Sequence, residues 1–100
     1  PSATKMVQKL TKLGFIKYKK YGIIQLTEKG ENMGAFLLNR HRIIESFFKI
    51  IGVEEDLLVN IELMEHNITK DALDKIQRLN NFFKDNADIK ESFSKYMKNK

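Results

Sequence analysis

The sequence predicts a mostly α-helical chain broken by one short β-hairpin near its start. Three observations carry that class. Apolar residues recur at helical spacing over residues 3–13, 33–51 and 72–83; one stretch, 15–27, alternates β-branched and aromatic residues around a Lys-Lys-Tyr-Gly turn; and capping residues and glycines fall at the boundaries between these stretches.

The first segment opens with Pro1, suited to a first helical turn, and places Ala3, Met6, Val7, Leu10 and Leu13 on one face. A helix over residues 2–13, ending at Gly14, follows. Residues 15–27 then read as a hairpin whose tip, Lys19-Lys20-Tyr21-Gly22, is cationic. Thr27 caps a long helix with Glu28 in its first turn, and Met33, Phe36, Leu37, Ile43, Ile44, Phe47, Phe48 and Ile51 carry its apolar face to Gly52. A third helix is expected from Val53 to His66, with Glu54, Glu55 and Asp56 complementing its dipole. Thr69 caps a fourth, with Ala72, Ile76, Leu79, Phe82 and Phe83 inward, and Asp88-x-x-Glu91 is a capping box for a short last helix bearing Phe93 and Met97.

That order is the C-terminal half of a winged helix-turn-helix (recognition helix plus β-hairpin wing) followed by a helical dimerisation domain. The expected division is a partial DNA-binding domain over 1–28, a linker helix over 29–52 and a metal-binding and dimerisation domain over 53–100. A helix-turn-helix needs a helix ahead of its recognition helix, so the chain is expected to begin partway through that domain, through truncation or with cover from another chain.

Composition narrows the partners. One hundred residues, 42% hydrophobic, suffice for one compact unit or two small ones. No run approaches the roughly 18 apolar residues of a membrane span, and no signal peptide opens the chain, so a soluble cytoplasmic protein without a membrane partner is expected. There is no cysteine, so a metal here must be held by nitrogen and oxygen. The net charge of +5 is uneven: residues 1–29 carry seven lysines against Glu28 alone, and the remainder is close to neutral. A lysine-rich end suits a polyanion, against the plain alternative of a solvated surface. On the first helix Ser2, Thr4 and Lys5 are placed to approach bases or phosphates, with Gln8 and Lys9 further along; Lys17, Lys19, Lys20 and Tyr21 of the hairpin suit phosphate contacts on operator double-stranded DNA.

The second constellation is Glu62-x-x-Glu65-His66, two carboxylates and an imidazole brought onto one helical face by offsets of three and four residues. The only other histidine, His41, lies on the long helix, with Glu45 one turn later. Between residues 54 and 74 seven acids face one base, Lys70, a concentration that repels itself without a cation. Such oxygen and imidazole donors suit Mn²⁺ or Fe²⁺. The plain alternative is an exposed acidic helix with a satisfied histidine.

Taken together, Pro1-Ser-Ala-Thr-Lys-Met-Val-Gln-Lys-Leu10, Leu26-Thr27-x-x-Gly30, Arg40-His41, Phe47-x-x-Ile50-Ile51-Gly52-Val53 and Glu62-x-x-Glu65-His66 resemble the diphtheria toxin repressor family, in its manganese-responsive branch. The resemblance covers nearly the whole chain. It implies a homodimer that binds two Mn²⁺ per subunit in a binuclear cluster and represses manganese-uptake genes, with His41, Glu62, Glu65 and His66 as metal ligands. Fe²⁺, Co²⁺ and Cd²⁺ are expected to bind in vitro. Glu62 stands where iron-responsive members carry cysteine. Three departures accompany it: the family's further Asp and Glu ligands on a first helix are not in this sequence, the stretch from Gly52 to Glu62 is one residue shorter than usual, and no C-terminal SH3-like domain follows.

Two rivals belong to other classes. A metal-dependent hydrolase would use similar ligands, but the sequence has no His-Glu-x-x-His, no glycine-rich phosphate loop and no nucleophile and base pair, so neither catalysis nor a small organic substrate is expected. The other is a dimerisation or interaction module whose metal site has decayed.

Overall fold

The computed structural model describes residues 2–99. Its elements are α1 (Ser2–Lys12), β1 (Ile16–Tyr18), β2 (Ile24–Leu26), α2 (Glu28–Ile51), α3 (Leu57–Glu65), α4 (Lys70–Asp85) and α5 (Ala87–Lys98). The predicted class, mostly helical with a single antiparallel hairpin, is borne out. The chain forms two compact units, Pro1–Leu38 and Asn39–Lys100, divided inside α2.

In the first unit α1 ends as its glycine predicts. Gly14 takes φ +85°, its N–H donates to Thr11 O and the Phe15 N–H reaches back to Leu10 O, both at 3.0 Å. This paired closure needs a left-handed residue, which glycine supplies without steric cost. The hairpin follows in the register Ile16 with Leu26, Lys17 with Gln25 and Tyr18 with Ile24. Its tip turns through Tyr21 and Gly22, both at positive φ.

Thr27 ties the unit together. Its hydroxyl donates to Gly14 O at 2.6 Å and accepts from the Gly30 N–H at 3.0 Å, while its own N–H donates to Phe15 O at 3.0 Å. One side chain therefore caps α2 and closes the loop after α1. Lys29 reinforces the same loop: its ammonium donates to Leu13 O at 2.9 Å and lies 4.9 Å from the centre of the Phe15 ring. Thr27→Val keeps the shape and removes both hydroxyl bonds, so it is expected to cost about 1–3 kcal/mol. The check is amide hydrogen exchange, with protection falling over residues 14–38.

The second unit is organised around Ile44 and Ile61, both fully buried, with Ile43, Phe48 and Leu73. Phe47, Ile51, Val53, Leu57, Met64, Ile68 and Ile76 pack against them. Gly52, at φ +89°, ends α2 with Val53 N–H donating to Phe48 O and Gly52 N–H to Lys49 O, the same closure as at Gly14. Thr69 caps α4 as expected, accepting from the Ala72 N–H at 3.2 Å.

Several expectations are corrected here. The third helix starts at Leu57 rather than Val53: the chain is still turning after Gly52, and Asp56 sits at φ 53° immediately before the helix. Glu54, Glu55 and Asp56 therefore precede α3 and do not fill its first turn. The last helix starts at Ala87, which puts Asp88 inside its first turn and not at the cap. The residue at that junction, Asn86, spends its side-chain amide on Phe82 O at 2.8 Å, closing α4. On α4 the fully inward residues are Leu73 and Asn80, while Leu79 and Phe82 remain 40% and 47% exposed. In the first half of α2, Met33, Phe36 and Leu37 are likewise exposed, because periodicity identifies a face without supplying what covers it.

Candidate metal centre and nucleic-acid face

The second unit brings the imidazole of α2 to the acidic end of α3. His41 Nδ1 stands 3.5 Å from Glu65 Oε2. Both side chains are largely out of water, 32% exposed for His41 and 15% for Glu65, so a carboxylate at this position needs positive charge or donors nearby. Arg40, the neighbour of His41, places Nε 4.0 Å from the same oxygen. Glu62 lies one turn before Glu65 on α3 and is exposed; His66 is the residue after the helix, also exposed, with its N–H donating to Glu62 O at 3.2 Å. Thus two of the four proposed ligands converge. Among the described residues no group of three or more histidine, aspartate or glutamate side chains is gathered as a metal cage.

The donor set nevertheless fits a divalent cation in kind. Every side chain concerned offers carboxylate oxygen or imidazole nitrogen, and the half-buried Glu65 carboxylate already attracts a cation and an imidazole. The rest of the acidic stretch is dispersed. Asp71 pairs with Lys75 at 2.6 Å, and Glu54, Glu55 and Asp56 are exposed in the loop before α3. Glu45, one turn from His41, approaches Lys49 at 3.9 Å.

Sequence reasoning missed Arg40 and Asn80. Arg40 lay inside a quoted motif without a role; the surplus of acids facing it was the available signal. Asn80 is 7% exposed and its amide donates to Ile43 O at 3.0 Å, joining α4 to α2. Its Oδ1 is buried with no donor among the described residues. A polar residue in an apolar helix pattern gave no hint of this cross-link.

The first unit carries the residues expected to meet a polyanion. Ser2, Thr4, Lys5, Gln8 and Lys9 are all exposed on α1, which has no buried residue. Lys17, Lys19 and Lys20 are exposed on the hairpin, and Tyr21 projects from its tip at 97% exposure. Such a surface is open to a polyanion.

A short helix with a basic hairpin makes up the start of one unit, and the other is a helical unit that sets an imidazole beside a carboxylate. The chain belongs to the iron-dependent repressor family: residues 27–94 match its model, described as the iron dependent repressor, metal binding and dimerisation domain. This bears out the resemblance to the diphtheria toxin repressor family. The chain is 43% identical over 89 residues to the HTH-type transcriptional regulator MntR of Lysinibacillus sphaericus, covering 88% of this chain and 64% of that protein. It is 39% identical over 98 residues to the protein of that name from Bacillus velezensis, covering 97% and 69%, and 40% identical over 98 residues to that from Oceanobacillus iheyensis, covering 97% and 67%. The chain thus spans about two thirds of the length of these curated relatives. Among the described residues no helix is long and apolar enough to cross a membrane.

Proposed function

We propose that this chain is the sensing and dimerising part, with a portion of the DNA-binding part, of a manganese-responsive repressor of metal-uptake genes. The observation that carries the proposal is the convergence of His41 and Glu65, from two different helices, in a stretch whose family is defined by metal binding. In this reading His41, Glu62, Glu65 and His66 are the ligands, and Mn²⁺ is the cation that their oxygen and nitrogen donors suit. The names of the relatives support manganese. A bound cation supplies the positive charge that lets these acids approach one another. His41 then ties α2 to α3, while Glu65, already turned toward α2, needs little movement.

Ser2, Thr4, Lys5, Gln8 and Lys9 of α1 face operator DNA, and Lys17, Lys19, Lys20 and Tyr21 of the hairpin hold its phosphates. Exposed Leu58, Val59 and Leu63 on α3 with Leu79 and Phe82 on α4 supply apolar surface for a homodimer. Metal acts as a switch only through greater affinity for the dimer geometry that meets DNA.

The test is fluorescence anisotropy of the full-length protein on duplex DNA from a metal-uptake promoter. Mn²⁺ is expected to promote binding, and Glu65→Ala to abolish that dependence while leaving the helical spectrum intact. DNA binding indifferent to both Mn²⁺ and Glu65→Ala would instead indicate a dimerisation module with a decayed site.

A further inference from the structure

Two groups from adjacent positions of α2 converge on a single oxygen. Arg40 Nε and His41 Nδ1 lie 4.0 Å and 3.5 Å from Glu65 Oε2. Neighbouring residues on a helix point about 100° apart, so only a long, bending side chain brings both to one atom. Arginine has that reach, and its Nε is shut off from solvent at this position. Glu65, at 15% exposure, has lost most of the water that would otherwise stabilise its charge.

We propose that Arg40 is the resident counter-ion of Glu65 in the metal-free chain, and that it sets the affinity of the metal site by competing for Oε2. The inference rests on the ligand assignment above and adds to it a residue that is not itself a ligand. A guanidinium and a divalent cation cannot share one oxygen cheaply, since like charges a few ångströms apart in a partly desolvated site repel strongly. Metal therefore binds only the fraction of molecules in which Arg40 has swung away, and its apparent affinity falls by that fraction. The same competition makes the site two-state: Arg40 neutralises Glu65 when metal is scarce, and metal replaces it when metal is abundant. An unloaded sensor thus avoids a partly desolvated, uncompensated carboxylate.

The experiment is calorimetric titration of Mn²⁺ into the full chain, for the wild type and for Arg40→Met, Arg40→Lys, Glu62→Gln and Glu65→Gln. Arg40→Met keeps the apolar stem and removes the charge, so it is expected to bind Mn²⁺ about five- to twenty-fold more tightly, with Arg40→Lys in between. Equal or weaker binding by Arg40→Met, with Glu65→Gln still losing Mn²⁺, would overturn the competition while leaving the ligand assignment intact. Wild-type affinity in both glutamate variants would instead remove the ligand assignment and this inference with it. A second reading uses the wild type alone, independent of how any variant folds. The Arg40 Nε–H is expected to be protected from solvent exchange without metal and to lose that protection when diamagnetic Cd²⁺ is added; protection unchanged by saturating Cd²⁺ would overturn the proposal.

Discussion

Gly30→Ala is expected to unfold residues 14–38 locally while the core of the second unit persists. A Cβ built at Gly30 overlaps the backbone carbonyl of Phe15, and the Leu26 side chain stands 3.3 Å away on the same side. The conflict is with backbone, so no change of rotamer relieves it. Relief requires moving the loop after α1, and that loop is held by the Thr27 N–H on Phe15 O and the Thr27 hydroxyl on Gly14 O. A single methyl group therefore opposes several hydrogen bonds at once, and a cost of about 3 kcal/mol or more is expected where overpacking cannot be absorbed by side chains. Residue-resolved hydrogen exchange is the measurement: protection should collapse across the hairpin and the first turn of α2 and remain around Ile44 and Ile61. Unchanged protection of the Thr27 and Gly30 amides in Gly30→Ala would show that the close approach does not exist in solution.

Ile44→Ala should be the most damaging substitution in the second unit. Ile44 is completely buried, with Ile43, Phe48, Ile61 and Leu73 in the same cluster. Removing three carbons from such a site costs the transfer energy of the lost atoms plus the cavity they leave, about 3–5 kcal/mol. Small domains have only about 5–15 kcal/mol of stability in total, so the urea midpoint read by circular dichroism should drop by a large part of its value. Ile44→Val is the control, expected to cost about 1 kcal/mol. A loss under 1 kcal/mol for Ile44→Ala would mean that the core is packed around other residues. Because His41 sits one helical turn before Ile44, Ile44→Ala should also loosen the approach of His41 to Glu65, and Mn²⁺ should recover some of the lost stability if the ligand assignment holds.

The ends of elements that rest on backbone chemistry were legible in the sequence. Gly14 and Gly52 close α1 and α2, Thr27 and Thr69 cap α2 and α4, and the Lys19–Gly22 tip turns the hairpin, each where the residue type required it. The misplaced boundaries share one cause. Acidic residues at Glu54–Asp56 and Asp88 suit first-turn or capping positions, whereas the turn after Gly52 sets the start of α3 and the bond from Asn86 to Phe82 O marks the junction before α5. Local charge preference is worth only a few tenths to one kcal/mol and yields to such geometry. For the candidate site, spacing alone put Glu62 and Glu65 one turn apart on α3, with His66 directly after the helix. That His41 meets Glu65, and that Arg40 reaches the same oxygen, depended on the packing of α2 against α3.

The sequence by itself determined the helical class, the hairpin, the basic first unit and the oxygen and nitrogen character of the candidate metal donors, because each follows from residue type and spacing along one segment. Only the tertiary structure decided which apolar residues are covered, that Asn80 bonds to Ile43, and which positive group stands beside Glu65. Those depend on contacts between residues far apart in the chain, such as Arg40 and Glu65, and periodicity within a helix carries no information about the partner it will meet.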